Sequence, residues 1–210
     1  MPFEPFHLAL PILDFVGILS LAALSVLLYR AYRISGNSLF LYFFTGFTIL
    51  GLGEFGRFFL FLTIIFTPRP SFFFFFLNHS VALLSQVLEI LGFLVIALGY
   101  TMELFGKEKA LASIIVFQVR RLPLTFPMVN IFSASILVYI SLNAFAIYTK
   151  NKQSLTLAPL LAFILFLLSN ILSILAFLLR DELIVLFSRL VYIAGLYVFL
   201  WLALKVGKTP

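Results

Sequence analysis

The sequence predicts an all-α, polytopic membrane protein with six transmembrane helices, arranged as two three-helix repeats of inverted topology. Three observations lead there. Of 210 residues, 63% are hydrophobic and 10% charged, against roughly 25% charged in a soluble domain, and the mean hydropathy is +1.19, so apolar surface must face lipid as well as a core. Six apolar runs are each long enough to span, since about 20 residues cross a bilayer. Prolines and rare polar residues recur in register between the two halves.

Met1–His7 is a short polar lead. Helix one is expected over about Leu8–Tyr29. With Glu4 before it, no Lys or Arg in the lead and Asp14 inside it, this stretch does not read as a cleaved signal. Arg30 and Arg33 follow, then a turn at Gly36 and Asn37. Helix two, about Leu39–Phe66, carries Glu54 and Arg57 near its middle, among Gly51, Gly53 and Gly56. An ionisable residue at that depth costs about 2.5–3.5 kcal/mol even on insertion scales, so this pair needs a physical reason.

Thr67–His79 opens with Pro68 and Pro70 and reads as a connection. Its Phe72–Phe76 run reads as lipid-facing bulk rather than an aromatic binding box. Helix three, about Ser80–Leu104, carries Gln86 and Glu89. Gly106–Arg121 is a basic linker whose apolar piece, Ala110–Val119, is too short to span and is expected to lie in the interface. Helices four, five and six are expected over about Thr125–Tyr148, Leu155–Leu179 and Leu183–Val206. Pro159 falls in the first turns of helix five, where proline is tolerated. Lys150–Gln153 and Arg180–Glu182 are the turns between these helices, and Lys208 ends the chain in the headgroups. The partition is therefore unit one over 1–106, a linker over 107–124 and unit two over 125–210.

The repeat lies in the register of residues that are rare in apolar helices. At an offset of 116, Pro11 meets Pro127, Asp14 meets Asn130, Gly17 meets Ser133, Leu21 meets Leu137 and Ser25 meets Ser141. These positions fall on one helical face. The same offset sets Phe47 on Phe163 and Glu54 on Asn170. At an offset of 103, Ser85 meets Ser188, Gln86 meets Arg189, Glu89 meets Tyr192 and Gly92 meets Gly195. With three spans per unit and a non-spanning linker, the second unit must enter from the opposite side, an arrangement common in channels and secondary transporters.

Taking the side of the N-terminus as the near side, Asp14, Glu54, Arg57 and Glu89 should all lie roughly 9–18 Å below it at ~1.5 Å per residue. Their counterparts Asn130, Asn170, Ser173 and Arg189 should lie in the other half of the membrane. Glu54 and Arg57, one turn apart, can pair. Three acids around one guanidinium leave a carboxyl that must be protonated, shared or wet, the chemistry of a proton relay or cation site. The same residues would equally serve as an ion-pair clasp, with the glycines allowing close helix approach. Asp14 alone would also serve to cap a helix start after Pro11.

Other chemistry finds little footing. There is no cysteine, hence no disulfide, zinc–thiolate or iron–sulfur site. His7 and His79 both fall at the near-side boundary, too shallow for bis-His haem. Lys205 sits at the end of its span and snorkels, so a retinal-type Schiff base is not expected. GLGEFG lies mid-membrane, the wrong setting for a phosphate loop. No enzymatic activity, cofactor or metal is expected. The net charge of +6 spreads over loops, as headgroup contacts do, and nucleic acid is not an expected partner. Counting Arg30, Arg33, Lys107, Lys109, Arg120, Arg121 and Arg180 on the far side against Arg69, Lys150, Lys152, Lys205 and Lys208 on the near side makes the far side cytoplasmic and sets both termini outside a cell membrane. Two functions follow: a small channel or carrier for an ion or small solute, or a non-catalytic subunit or sensor-like module binding partner helices, lipid or quinone. Expected partners are membrane lipid, other membrane subunits or further copies of the chain.

Overall fold

The structure, a computed structural model, describes residues 6–66, 72–106, 126–152 and 154–206. Among these are six helices: α1 (Phe6–Ser35), α2 (Ser38–Phe66), α3 (Phe72–Phe105), α4 (Phe126–Asn151), α5 (Ser154–Leu179) and α6 (Glu182–Val206). All six are long and apolar enough to cross a membrane, which is the make-up of a multi-pass membrane protein.

Two boundaries differ from the sequence reading. Arg30 and Arg33 ride the last turns of α1 instead of following it. Phe72–His79 is the start of α3 instead of a connection, because Pro70 is the last breaker and nothing beyond it interrupts the helix. The turns have ordinary causes. At the end of α1, Gly36 takes φ 67° and its N–H donates to the Tyr32 carbonyl at 2.8 Å, the left-handed helix stop that favours glycine. The side chain of Asn37 then accepts the Leu39 N–H at 2.8 Å, capping α2, and Asp181 accepts the Leu183 N–H at 2.8 Å, capping α6.

The helices form a closed ring. Each packs on its neighbour in chain order, and α6 returns to pack on α1. The interior is filled by rings: Phe47 and Phe163 stand 4.9 Å and 5.0 Å from Phe199, and Phe43 and Phe166 complete the cluster. All five are almost fully buried. The outer surface is equally apolar, with Ile12, Leu19, Val26, Leu52, Phe55 and Leu178 exposed. Lipid tails are as apolar as these side chains, so helix association here depends on close packing. Gly92 lets α3 seat on α2: a Cβ there would fall 2.7 Å from the Leu50 side chain and 2.9 Å from the Gly46 carbonyl.

The direction of each helix follows from what it touches. Phe43 meets Phe163 and Phe47 meets Phe166, so α5 runs parallel to α2. Phe47 meets Phe199 while Glu54 meets Arg189, so α6 runs against α2. One recess at the far end is lined together by Asn37, Glu103, Ile147, Thr156 and Val206. A cavity at the near end is lined together by Arg57, Asn130 and the Arg180–Glu182 turn. Hence α1, α3, α4 and α6 all run from near to far, and α2 and α5 return.

This corrects two expectations. The second group of three helices enters from the same side as the first, so the topology is parallel and not inverted. The described chain begins at the near end with Phe6 and finishes at the far end with Val206, so its ends do not share a side. The inversion was expected because three spans and a non-spanning linker force it, whereas Gly106 and Phe126, which flank residues 107–125, stand at opposite ends of the bundle. The expected interfacial helix Ala110–Val119 lies outside the described residues, as does Thr67–Ser71. Because the chain has no cysteine, single cysteines are clean reporters. Asn37→Cys and Lys152→Cys will react with a membrane-impermeant maleimide from one face, and Asp181→Cys from the other. If Lys152→Cys and Asp181→Cys instead exchange faces, α4 and α5 run the opposite way.

Candidate functional site

A chain of alternating charges crosses four helices near the near end. On α2, Glu54 and Arg57 stand one turn apart, and the Arg57 guanidinium donates to Glu54 Oε1 at 2.6 Å. The same guanidinium reaches Glu89 Oε2 on α3 at 3.3 Å. From α6, Arg189 donates to the same Glu54 Oε1 at 3.3 Å and lies 3.5 Å from Asp14 Oδ1 on α1. The order is Asp14, Arg189, Glu54, Arg57, Glu89. Glu54 is the shared member, accepting from both guanidiniums, and is only 2% exposed. A guanidinium cannot shed its proton in this setting, so each Arg needs carboxylates close by, and each has two.

The sequence-derived candidates fall as follows. Glu54, Arg57 and Glu89 come together around Arg57. Asp14 joins through Arg189 and not through Arg57. Arg189, expected near the far side, is the correction that matters most. Because α6 starts at the near end, a residue seven positions into it sits level with Asp14, eight positions into α1. For the same reason Asn130, Asn170 and Ser173 are not in the other half of the membrane but line one cavity with Glu54, Arg57, Glu89 and Arg189. The side chains of His7 and His79 lie outside the described residues. Among the described residues no group of three or more His, Asp and Glu is arranged to hold a metal ion.

The cavity measures about 420 Å³. Its charged wall is Glu54, Arg57, Glu89 and Arg189. Its neutral polar wall is Asn130, Ser169, Asn170 and Ser173, and Phe93, Phe166 and Tyr192 complete the lining. Ser188 ties the neutral wall to α6, with its Oγ 2.6 Å from that of Ser173 and donating to the Ser169 carbonyl at 2.9 Å. Toward the near end the lining reaches the Arg180–Asp181–Glu182 turn. Toward the far end the buried Phe cluster follows. Four buried polar atoms on lining residues find no protein partner: Glu54 Oε2, Arg57 Nε, Asn130 Nδ2 and Asn170 Oδ1.

Sequence reasoning missed the turn residues and the aromatic part of the lining. The turn was legible as three consecutive charges, but its place above the cavity depends on helix direction. Phe93 and Phe166 carry no signal among 28 phenylalanines. No protein-family model, curated protein or solved structure matches the chain.

Removing one member of a buried pair costs about 3–5 kcal/mol in soluble proteins because it strands the other charge. Arg57→Ala, which strands Glu89 and leaves Glu54 with Arg189 alone, will lower the thermal unfolding midpoint in detergent more than Arg57→Lys, which keeps the charge. Equal midpoints for the two variants would mean that the guanidinium charge does not hold these helices together.

Proposed function

We propose that this chain is a small carrier for a polar solute, entered from the near side, and not an enzyme. The observation that carries the reading is a charged, polar-walled cavity near one end of the bundle, blocked toward the other end by packed aromatic rings. Its size falls within the roughly 300–1,000 Å³ of small-molecule sites. A second, smaller recess of about 280 Å³ lies at the far end, lined in part by Phe43, Tyr100 and Glu103. Two recesses on opposite sides of a closed middle fit alternating access better than a continuous pore.

The reading includes two units, 1–106 and 125–210, repeated in parallel about an axis along the membrane normal, joined by a linker over 107–124. Parallel repeats of this kind occur in carriers, with the site where the repeats meet. Equivalent close contacts support it. At the 116 and 103 offsets, Gly92 against Leu50 and the Gly46 carbonyl becomes Gly195 against Phe166 and the Ala162 carbonyl. The buried positions Leu21, Phe47 and Ser85 become the buried positions Leu137, Phe163 and Ser188.

For orientation, Arg30, Arg33, Lys150, Lys152 and Lys205 gather at the far end, while the near-end turn sets Arg180 beside Asp181 and Glu182. The positive-inside rule then makes the far end cytoplasmic and opens the cavity outward, in a cell membrane.

The purified chain in proteoliposomes will accumulate a labelled small polar solute saturably and will give no single-channel current steps in planar bilayers. Step-like currents would make it a channel. Absence of uptake, together with constant co-purification of other membrane proteins, would give the alternative, an accessory subunit.

A further inference from the structure

Four residues that line the cavity carry buried polar atoms without partners, and these say what kind of solute suits it. Two are acceptors, Glu54 Oε2 and Asn170 Oδ1, and these residues are 2% and 7% exposed. The two residues line one cavity from α2 and α5. Two are donors, Arg57 Nε and Asn130 Nδ2. A buried polar atom left unpaired costs about 1–3 kcal/mol, more when charged, so a ligand meeting all four must bring both donors and acceptors.

Charge narrows the class further. The network holds three carboxylates, Asp14, Glu54 and Glu89, against two guanidiniums, Arg57 and Arg189. The rest of the wall adds two acids and one base at the Arg180–Glu182 turn. With all groups ionised the site is negative, which favours a cation. The opening is far larger than a bare ion needs, with room for on the order of ten waters. Phe166 and Tyr192, with ring centroids 5.2 Å apart, and Phe93 add aromatic rings to the lining, and organic cations are drawn to such rings.

We propose that this cavity receives a small organic amine that also carries a hydrogen-bond acceptor, its ammonium directed to Glu54 and Asn170 and its acceptor group to Arg57 and Asn130. The inference rests on the cavity being a solute site, as the carrier reading has it, but binding is measurable without transport.

Isothermal titration of the full chain in detergent with ethanolamine, glycine, acetate and sodium chloride is the test. Ethanolamine and glycine will bind saturably, and acetate and sodium will not. Glu54→Gln will weaken amine binding about tenfold or more. Since that variant also disturbs the ion pairs, Asn170→Leu serves as the second: it leaves every ion pair in place and will weaken the amines by about tenfold, while Asn170→Asp will tighten them. Binding of acetate without the amines, binding of sodium alone, or no binding by any probe would overturn the proposal. If amines bind but vesicles accumulate nothing, the carrier reading fails and the amine site stands. If vesicles accumulate a neutral or anionic solute and amines do not bind, the amine site fails and the carrier reading stands.

Discussion

Glu54 is a single carboxylate shared by two guanidiniums in a place where none of the three would be stable alone. Arg57 comes to it along its own helix and Arg189 from the last helix of the chain. Each Arg then passes to a further acid, Glu89 on α3 and Asp14 on α1. Four helices are thereby tied at one level by alternating charge. Close packing of glycines and rings gives the helices their contacts, but apolar contacts in lipid discriminate weakly between one rotation or vertical shift and the next. The charge chain does discriminate. Sliding α6 by one turn would move Arg189 about 5.4 Å and leave Asp14 and Glu54 with an unbalanced charge in a medium that does not solvate it.

Much of the architecture was legible in the sequence because bilayer thickness constrains helices strictly. Six apolar runs became six helices, with errors mainly where phenylalanine continues past a proline. The pairing of Glu54 with Arg57 was legible from spacing alone, and Glu89 from its depth. Arg189 was not, for a definite reason. Depth is counted from a helix end, and which end is near depends on how many times the chain has crossed before. One crossing more or fewer in the linker reverses every later helix, and with it the depth of Asn130, Asn170, Ser173 and Arg189. Hydropathy cannot decide that for a stretch such as Ala110–Val119, whose apolar length falls short of a span.

The two walls of the cavity differ in character. One wall carries charges that fix helix positions. The other carries amides and hydroxyls that make hydrogen bonds without fixing a charge state. A polar guest in a cavity built this way would meet different partners at its two ends. The Phe cluster on its far side keeps water from shorting these electrostatic differences, since charge interactions weaken steeply wherever solvent enters.

The closure of the ring by α6 on α1 has a consequence for the order in which the protein is made. Asp14 lies in the first helix and Arg189 in the last, 175 positions later. At about 5–20 residues per second of synthesis, Asp14 waits roughly nine to thirty-five seconds before its partner exists. Throughout that interval the growing chain carries an acid with no base beside it, and Glu54 has only Arg57. Arrival of α6 therefore closes the ring on α1 and supplies the missing charge in one event. A ribosome that stalls or a message that ends before α6 leaves a product whose defect lies in α1, where Asp14 lacks its Arg189 partner.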